Sequence, residues 1–472
     1  MSEQTTARTG WTLALASLGT FLTTLDIVVV TTALPTLRSH FHASLATLEW
    51  TINAYNLVFA VCMLTGAALG DRFGRKRMYV AGVTVFTLSS AAAALSTTTG
   101  QLIAARIVQG AGAAMVLPLT MTLVADVFPP GKRAGAIGVL GGATGLGVAA
   151  GPVVGGAVVE GISWQWIFWI NVPVGVVVAV LSAFKLTESH GPRPQLDFGG
   201  LLLAGAGMFA LTWGAVRAPS VGWGSVEVVT SFVLGVVLAA GFVGWERRTR
   251  HPMLPMAFFR RRGFVAADIV GFFQQTSIIG SAFMIMQFFQ IGLGYSPMTA
   301  GYRILVWMAM PVFVAPIAGI MAGKVGNKPV LLVGLVLQSA GLAWLAAVVT
   351  HDVSYGTLIV PLIVAGIGIS LCFPVVANAI IDSVPIEEVG IASGANRATN
   401  ELGSVFGVAI MAAVFAGSGS YGSPGSFIDG FRPAMYVSAA IAAAGLIGAL
   451  LLPGRGALLP VAGPIAEEVG VA

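Results

Sequence analysis

The chain has 472 residues, of which 56% are hydrophobic and 9% charged, with a net charge of +5. A soluble globular domain carries about 25% charged residues. This composition excludes a soluble enzyme and fits a dozen or more membrane spans of about 20 residues each.

The N-terminus is short and polar. The apolar run that follows, Trp11 to Leu34, holds Asp26 and lacks a small-residue cleavage site, so it reads as a span and not as a signal peptide. In all, fourteen apolar segments lie at roughly 11–34, 47–70, 78–97, 102–126, 134–158, 166–186, 198–217, 228–245, 264–291, 299–322, 330–350, 357–381, 391–416 and 433–453. The simplest parse is an all-α membrane protein with fourteen transmembrane helices: two six-helix bundles related by pseudo-twofold symmetry, with two extra helices between them. The expected divisions are an N-terminal bundle at 1–190, the linker helices at 191–250, and a C-terminal bundle with its tail at 251–472.

Orientation follows from the basic residues. With the N-terminus inside, eighteen of the 24 Lys and Arg residues fall on the inner side, Arg72, Arg75, Arg193, Arg250, Lys324, Lys328 and Arg455 among them. Arg38, Arg217, Arg303 and Arg432 fall outside, and Arg106 and Arg397 lie within spans. A multi-pass protein with both termini in the cytoplasm is expected.

The stretch Arg106–Gly156 recurs. A shift of 256 pairs Gly110 with Gly366, Gly112 with Gly368, Asp126 with Asp382, Pro129 with Pro385, Gly147 with Gly403 and Gly151 with Gly407. A shift of 252 pairs Arg72 with Lys324, Gly74 with Gly326 and Gly82 with Gly334, while Gly323 stands where the first copy has Asp71. Two copies of one helical unit account for both shifts.

Two motifs join these helices. Gly70–Arg77 reads GDRFGRKR, between the second and third segments. Its glycines allow a tight turn, and Asp71 can pair with nearby arginines or a helix N-terminus. Gly70, Asp71, Arg72, Gly74 and Arg75, with Asp126, form a candidate cytoplasmic gate; the plainer alternative is a basic anchor. Gly147, Gly151, Pro152, Gly155 and Gly156 place small residues on one face of the fifth segment, so that another backbone can approach closely. Proline there frees a carbonyl and permits bending, so a hinge or plain tight packing are both open.

Several stretches together carry a resemblance: LDIVVVTTALP at Leu25–Pro35, WTINAYNL at Trp50–Leu57, GDRFGRKR, RIVQGAGAA, GPVVGG, and SWQWIFWINVPVG at Ser163–Gly175. In this order the chain resembles the fourteen-helix drug:proton antiporter branch of the major facilitator superfamily, the QacA/EmrB-type exporters, over most of its length. The Gly-Pro stretch marks exporters in that family. The resemblance implies efflux driven by inward proton flow, and a role for Arg106 in positioning the transported proton. Three positions depart from the family pattern: Thr31 replaces its usual asparagine, Val28 its frequent threonine, and Asn400 an arginine before Glu-Leu-Gly.

Ionisable groups at membrane depth cost at least about 2.5–3.5 kcal/mol each at a helix centre, so each needs a reason. Asp26, between Leu25 and Ile27, reads as a proton- or cation-binding carboxyl, or as a permanently neutral hydrogen-bonding group. Glu401 lies on one helical face with Arg397, four residues earlier. It is either an internal ion pair or a second proton or substrate-cation site. Arg106 either tunes a nearby carboxyl or snorkels to the surface. Asp126 and Asp382 are expected to pair with basic loop residues, and Asp268 to pair at the surface near Arg261 and Arg262, with a pocket role as the alternative. Pocket candidates are Gln274, Phe283, Met286, Gln287, Trp307, Tyr55 and Asn400, because Met adapts to apolar ligands and aromatics hold cations; lipid-facing or core packing is the alternative.

The expected function is a proton-coupled antiporter in the bacterial cytoplasmic (inner) membrane, exporting lipophilic and often cationic drugs or antibiotics by alternating access. The alternative is a same-fold exporter of one amphiphilic metabolite, lipid or self-made antibiotic. Zincin and nucleophile-elbow motifs and a phosphate-binding loop are absent from the sequence, so neither an enzyme nor an ATP-driven pump is expected. Protons, a small substrate and the lipid bilayer are the expected partners of a functional monomer. No cofactor, metal or nucleic acid is expected; Cys62 and Cys372 both lie in apolar runs.

Overall fold

A computed structural model of the protein describes residues 3–191, 197–249, 252, 254–384 and 388–454. Arg193, Arg250, Pro385, Arg455 and the tail beyond lie outside the described residues. Every apolar segment is helical: α1 (Glu3–Phe41), α2 (Leu45–Phe73), α3 (Arg75–Ala94), α4 (Thr99–Val127) and α5 (Pro130–Gly161), then α6 (Trp166–Lys185), broken at Ile170. The extra pair is α7 (Phe198–Val221) and α8 (Val226–Glu246). The second half is α9 (Arg262–Gly292), α10 (Pro297–Val325), α11 (Asn327–Val348), α12 (Tyr355–Ile381), α13 (Val389–Ser418) and α14 (Pro424–Leu451).

By length and composition, twelve of these helices can cross a membrane, or thirteen if Trp50–Met63 and Thr65–Phe73 make one span. Of the fourteen expected from the sequence, the twelve leave out α2, which is bent, and α3. Helix α3 opens on Arg75, Lys76 and Arg77 and carries Thr84, Thr87, Ser89 and Ser90, which dilute its apolar character.

Two helices depart from regular geometry. The last turn of α9, Phe288–Gly292, is a π-helix. Helix α10 breaks at Ile304 and Ala309. Pro311 lies four residues after Trp307; it offers no N–H to the Trp307 carbonyl, and its ring crowds that carbonyl.

The two halves repeat their packing as well as their sequence. A Cβ on Gly112 would meet the Phe86 backbone nitrogen and the Gly82 carbonyl, and one on Gly368 would meet those of Gln338 and Gly334. Gly74 and Gly326 both take positive φ, 109° and 93°, at the turns after α2 and α10. That conformation suits glycine alone. In both halves the small residues of the fifth helix meet the first: Gly147 and Gly151 lie on Phe21, Thr24 and Val28 of α1, and Gly403 and Gly407 on Phe272 and Thr276 of α9.

The bundles meet along two seams. Helices α2 and α13 face each other along one, and α7 lies against both, with Phe209 and Trp213 tilted against Trp50. Helices α5 and α10 form the other, and they touch at one end only. There a Cβ on Gly156 would strike the Pro297 backbone, and one on Gly301 the Pro152 carbonyl. Toward the basic loops the same faces continue through Gly145, Gly142 and Gly138 of α5 and Gly319 of α10, where nothing lies within 4 Å. Along this seam the bundles are thus in contact at the end away from the basic loops and open, among the described residues, toward the basic end.

Candidate functional site

Asp26 and Arg106 form a fully buried ion pair between α1 and α4. Gln109 Nε2 donates to Asp26 Oδ1 at 2.9 Å, and Asn171 Nδ2 of α6 donates to the same oxygen at 2.8 Å. Asn171 also reaches Ser90 Oγ of α3 at 3.1 Å. Arg106 donates from Nε to the Thr51 carbonyl of α2 at 3.0 Å and from Nη1 to Gln109 Oε1 at 2.7 Å. Its guanidinium carbon lies 4.2 Å from the centroid of the Tyr55 ring. Five helices thus share one network around the carboxylate, and every donor that holds it sits on a different helix from its own. Arg106 does not snorkel, because its partners are all inside the bundle.

The second buried carboxyl, Glu401, binds Arg397 Nη2 at 2.7 Å one turn earlier on α13. The guanidinium of Arg397 lies 5.5 Å from the ring centroid of Phe59 on α2, across the seam between the bundles. Phe59 stacks on Tyr55 at 6.1 Å. Tyr55 lies within electrostatic range of both Asp26 and Glu401. Its hydroxyl is buried and without a hydrogen-bond partner among the described residues, as are the Asn53 amide and Asn400 Oδ1.

Asp268 corrects its sequence reading. It is buried, and Asn396 Nδ2 donates to it at 2.9 Å. Thr399 also donates to it. Arg261 turns away, to the Ser383 carbonyl at 3.1 Å and to Glu388 at 3.8 Å. Local charge in the sequence suggested a surface pair; packing of α9 on α13 put the carboxyl inside instead.

The loop motif makes its contacts within the N-terminal bundle. Arg75 binds Asp71 at 2.8 Å and Asp126 at 2.6 Å, and Ser189 Oγ donates to Asp126 at 2.6 Å. Glu188 accepts the Lys76 and Arg77 amides at 2.9 and 3.3 Å, capping the start of α3. Gly70 packs on Leu119, and Arg72 lies over Phe73 at 5.2 Å. In the second half Asp382 pairs with the amide of Asn327 at 2.9 Å, and among the described residues no basic side chain bridges it. Asn327 stands 252 after Arg75, so the repeated latch has an amide in its second copy where the first has a guanidinium.

At the closed end, Glu160 of α5 accepts the Met298 amide at 3.1 Å, and Gln290 Nε2 in the π turn donates to the Thr32 carbonyl at 3.0 Å. Arg38 lies 3.8 Å over the Tyr421 ring. Most of the aromatic and methionine pocket candidates sit in this half: Phe283, Met286 and Trp307 are buried in the central apolar core. Gln287 accepts the Tyr421 hydroxyl at 2.6 Å, and Gln274 donates to the Ile369 carbonyl at 3.2 Å.

Sequence reasoning missed Gln109, Asn171, Asn396, Phe59 and Glu188. Gln109 was within reach of it, since a residue three after Arg106 shares its helical face. Asn171 stands out as a lone amide in an apolar run. Neither Phe59 nor Glu188 carries a local signal, because their partners are distant in sequence.

Known proteins agree with this architecture. The chain is 32% identical over 452 residues to the tetracenomycin C resistance and export protein of Streptomyces glaucescens, covering 94% of this chain and 84% of that one. It is 33% identical over 410 residues to the multidrug resistance protein Stp of Mycobacterium tuberculosis, covering 86% and 75%. Among solved structures, a D-xylose-proton symporter superposes with a TM-score of 0.67 at 16% identity, covering 95% of this chain and 99% of that one. At that identity the match speaks for the fold alone. The profile of the Major Facilitator Superfamily matches residues 16–246 and 267–467, and with two packed repeats around buried carboxyls the chain belongs to that superfamily.

Proposed function

We propose that this protein is a proton-coupled exporter of lipophilic, often cationic, drugs or antibiotics, of the fourteen-helix QacA/EmrB-type branch, with α3 as the fourteenth span. The observation that carries this reading is the pair of buried carboxyls, Asp26 and Glu401, one in each repeat and each bound to an arginine. The Streptomyces and Mycobacterium relatives, named for resistance and export, support the substrate class. In this reading both termini face the cytoplasm of a bacterial inner membrane. The open end of the α5–α10 seam then faces inward, and a functional monomer works as bundles 1–190 and 251–472 with the linker pair 191–250 bracing the α2–α13 seam.

The residues divide the work as follows. A proton on Asp26 cancels the charge that holds Arg106, which keeps the Thr51 carbonyl, Gln109 and the Tyr55 ring as partners. A cation and a proton cannot both neutralise one carboxylate, so loading one expels the other. Closure at the basic end draws on Gly70, Asp71, Arg72, Gly74, Arg75 and Asp126. Gly147, Gly151 and Gly155 keep α5 seated on α1, while Pro152 and Gly156 form the bearing on which α5 leaves α10. Asn400, Tyr55, Gln274, Gln287, Phe283, Met286 and Trp307 are the proposed wall of the substrate path.

A narrower reading, export of one self-made antibiotic, is favoured by the similarity to the tetracenomycin C exporter. Everted vesicles with an imposed pH gradient test the coupling. Ethidium uptake is expected in vesicles bearing the native protein and is expected to be lost with Asp26→Asn and with Glu401→Gln. Unchanged gradient-driven uptake in both variants overturns the proposal.

A further inference from the structure

The two buried ion pairs are built differently. Asp26 has three donors, and its arginine has two further acceptors, Thr51 and Gln109. Both of its charged side chains are closed off from solvent. Arg397 has only Glu401 as an acceptor among the described residues, and its Nε is buried without a partner. Its side chain is 32% exposed while that of Glu401 is 4% exposed. A partly exposed cation therefore covers a buried carboxylate and a buried aromatic ring.

That ring belongs to the opposite bundle. Phe59 is fully buried and meets the Arg397 guanidinium at 5.5 Å. Behind it, Tyr55 stacks at an interplanar angle of 14° and carries Arg106 on its other side. Two aromatic rings thus lie between two guanidinium groups, of which Arg106 is enclosed and Arg397 is reachable. An aromatic ring and a carboxylate on either side of one guanidinium are the chemistry that binds organic cations.

We propose that Arg397 is a tethered stand-in for the transported substrate: a lipophilic cation displaces its guanidinium and takes its place between the Phe59 ring and the Glu401 carboxylate. This rests on the efflux reading above and deepens it by naming the cation subsite. The tether sets the affinity, because every bound cation must first move Arg397 aside. It also keeps the carboxylate neutralised when the site is empty, so the bundles can close without burying a bare charge.

Binding of tetraphenylphosphonium to the purified full chain in lipid nanodiscs at pH 8 tests this. With Arg397→Gln, which removes the competitor, affinity is expected to rise about tenfold; with Phe59→Leu it is expected to fall about fivefold. Glu401→Gln is expected to abolish binding. Native binding left unchanged or weakened by Arg397→Gln overturns the inference and leaves the efflux reading standing. No binding to either protein overturns both the inference and the cationic substrate class. If Arg397→Gln does not fold, Phe59→Leu decides, and an unchanged affinity in that variant overturns the inference.

Discussion

Tyr55 and Trp307 hold equivalent places in the two halves of the molecule. They stand 252 apart in the chain. A Cβ on Gly110 would strike the Tyr55 carbonyl, and a Cβ on Gly366 would approach that of Trp307. Each also buries a polar atom, the Tyr55 hydroxyl and the Trp307 Nε1, without a hydrogen-bond partner among the described residues. The duplication therefore reaches side chains that share no chemistry, through the backbone contacts that hold them.

The glycine contacts should behave as pairs. Gly112→Ala drives a methyl into the Phe86 backbone, and Gly368→Ala does the same to Gln338. Each is expected to destabilise the protein by about 1–3 kcal/mol, as overpacking does. Gly145→Ala meets nothing within 4 Å and is expected to be neutral. Unfolding midpoints in mixed micelles measure all three.

The enclosed pair should show strong coupling between its partners. Asp26→Asn leaves Arg106 buried without its counter-charge, at a cost of about 3–5 kcal/mol. Adding Arg106→Gln is expected to restore most of that stability, because no unpaired charge remains. Transport is expected to stay lost in both variants. A double variant as unstable as the single one would show that the pair is not the unit that matters.

The closed end offers a mechanical test. Glu160 and Met298 touch across the bundles through a backbone amide. Cysteines placed at both positions are expected to oxidise to a disulfide in this conformation and to stop transport until reduced. Full transport in the oxidised double-cysteine protein would mean that the α5–α10 contact does not open during the cycle.

The fold was legible in the sequence because small residues at i and i+4 specify which helices touch, and the 256 and 252 shifts repeated that message. Asp26, Arg106, Glu401 and Arg397 were legible because charge in an apolar span is costly and therefore conspicuous. Asp268 was misread because Arg261 and Arg262 are its neighbours in the chain, whereas its actual partner, Asn396, lies 128 residues away. Phe59 was invisible for a related reason: one more phenylalanine in an apolar helix differs from its neighbours only by what faces it. The apolar signal is weakest at α3, where serine and threonine hidden inside the bundle dilute a helix that packs against α4.

The central claim is that protons and cationic substrate compete for the two buried carboxyls. Proton release from the purified protein in weakly buffered solution acidic enough to protonate both carboxyls, on adding tetraphenylphosphonium, measures it directly. The native protein is expected to release protons in proportion to the cation bound, and the Asp26→Asn, Glu401→Gln double variant is expected to release none. Equal release from that double variant would contradict the claim.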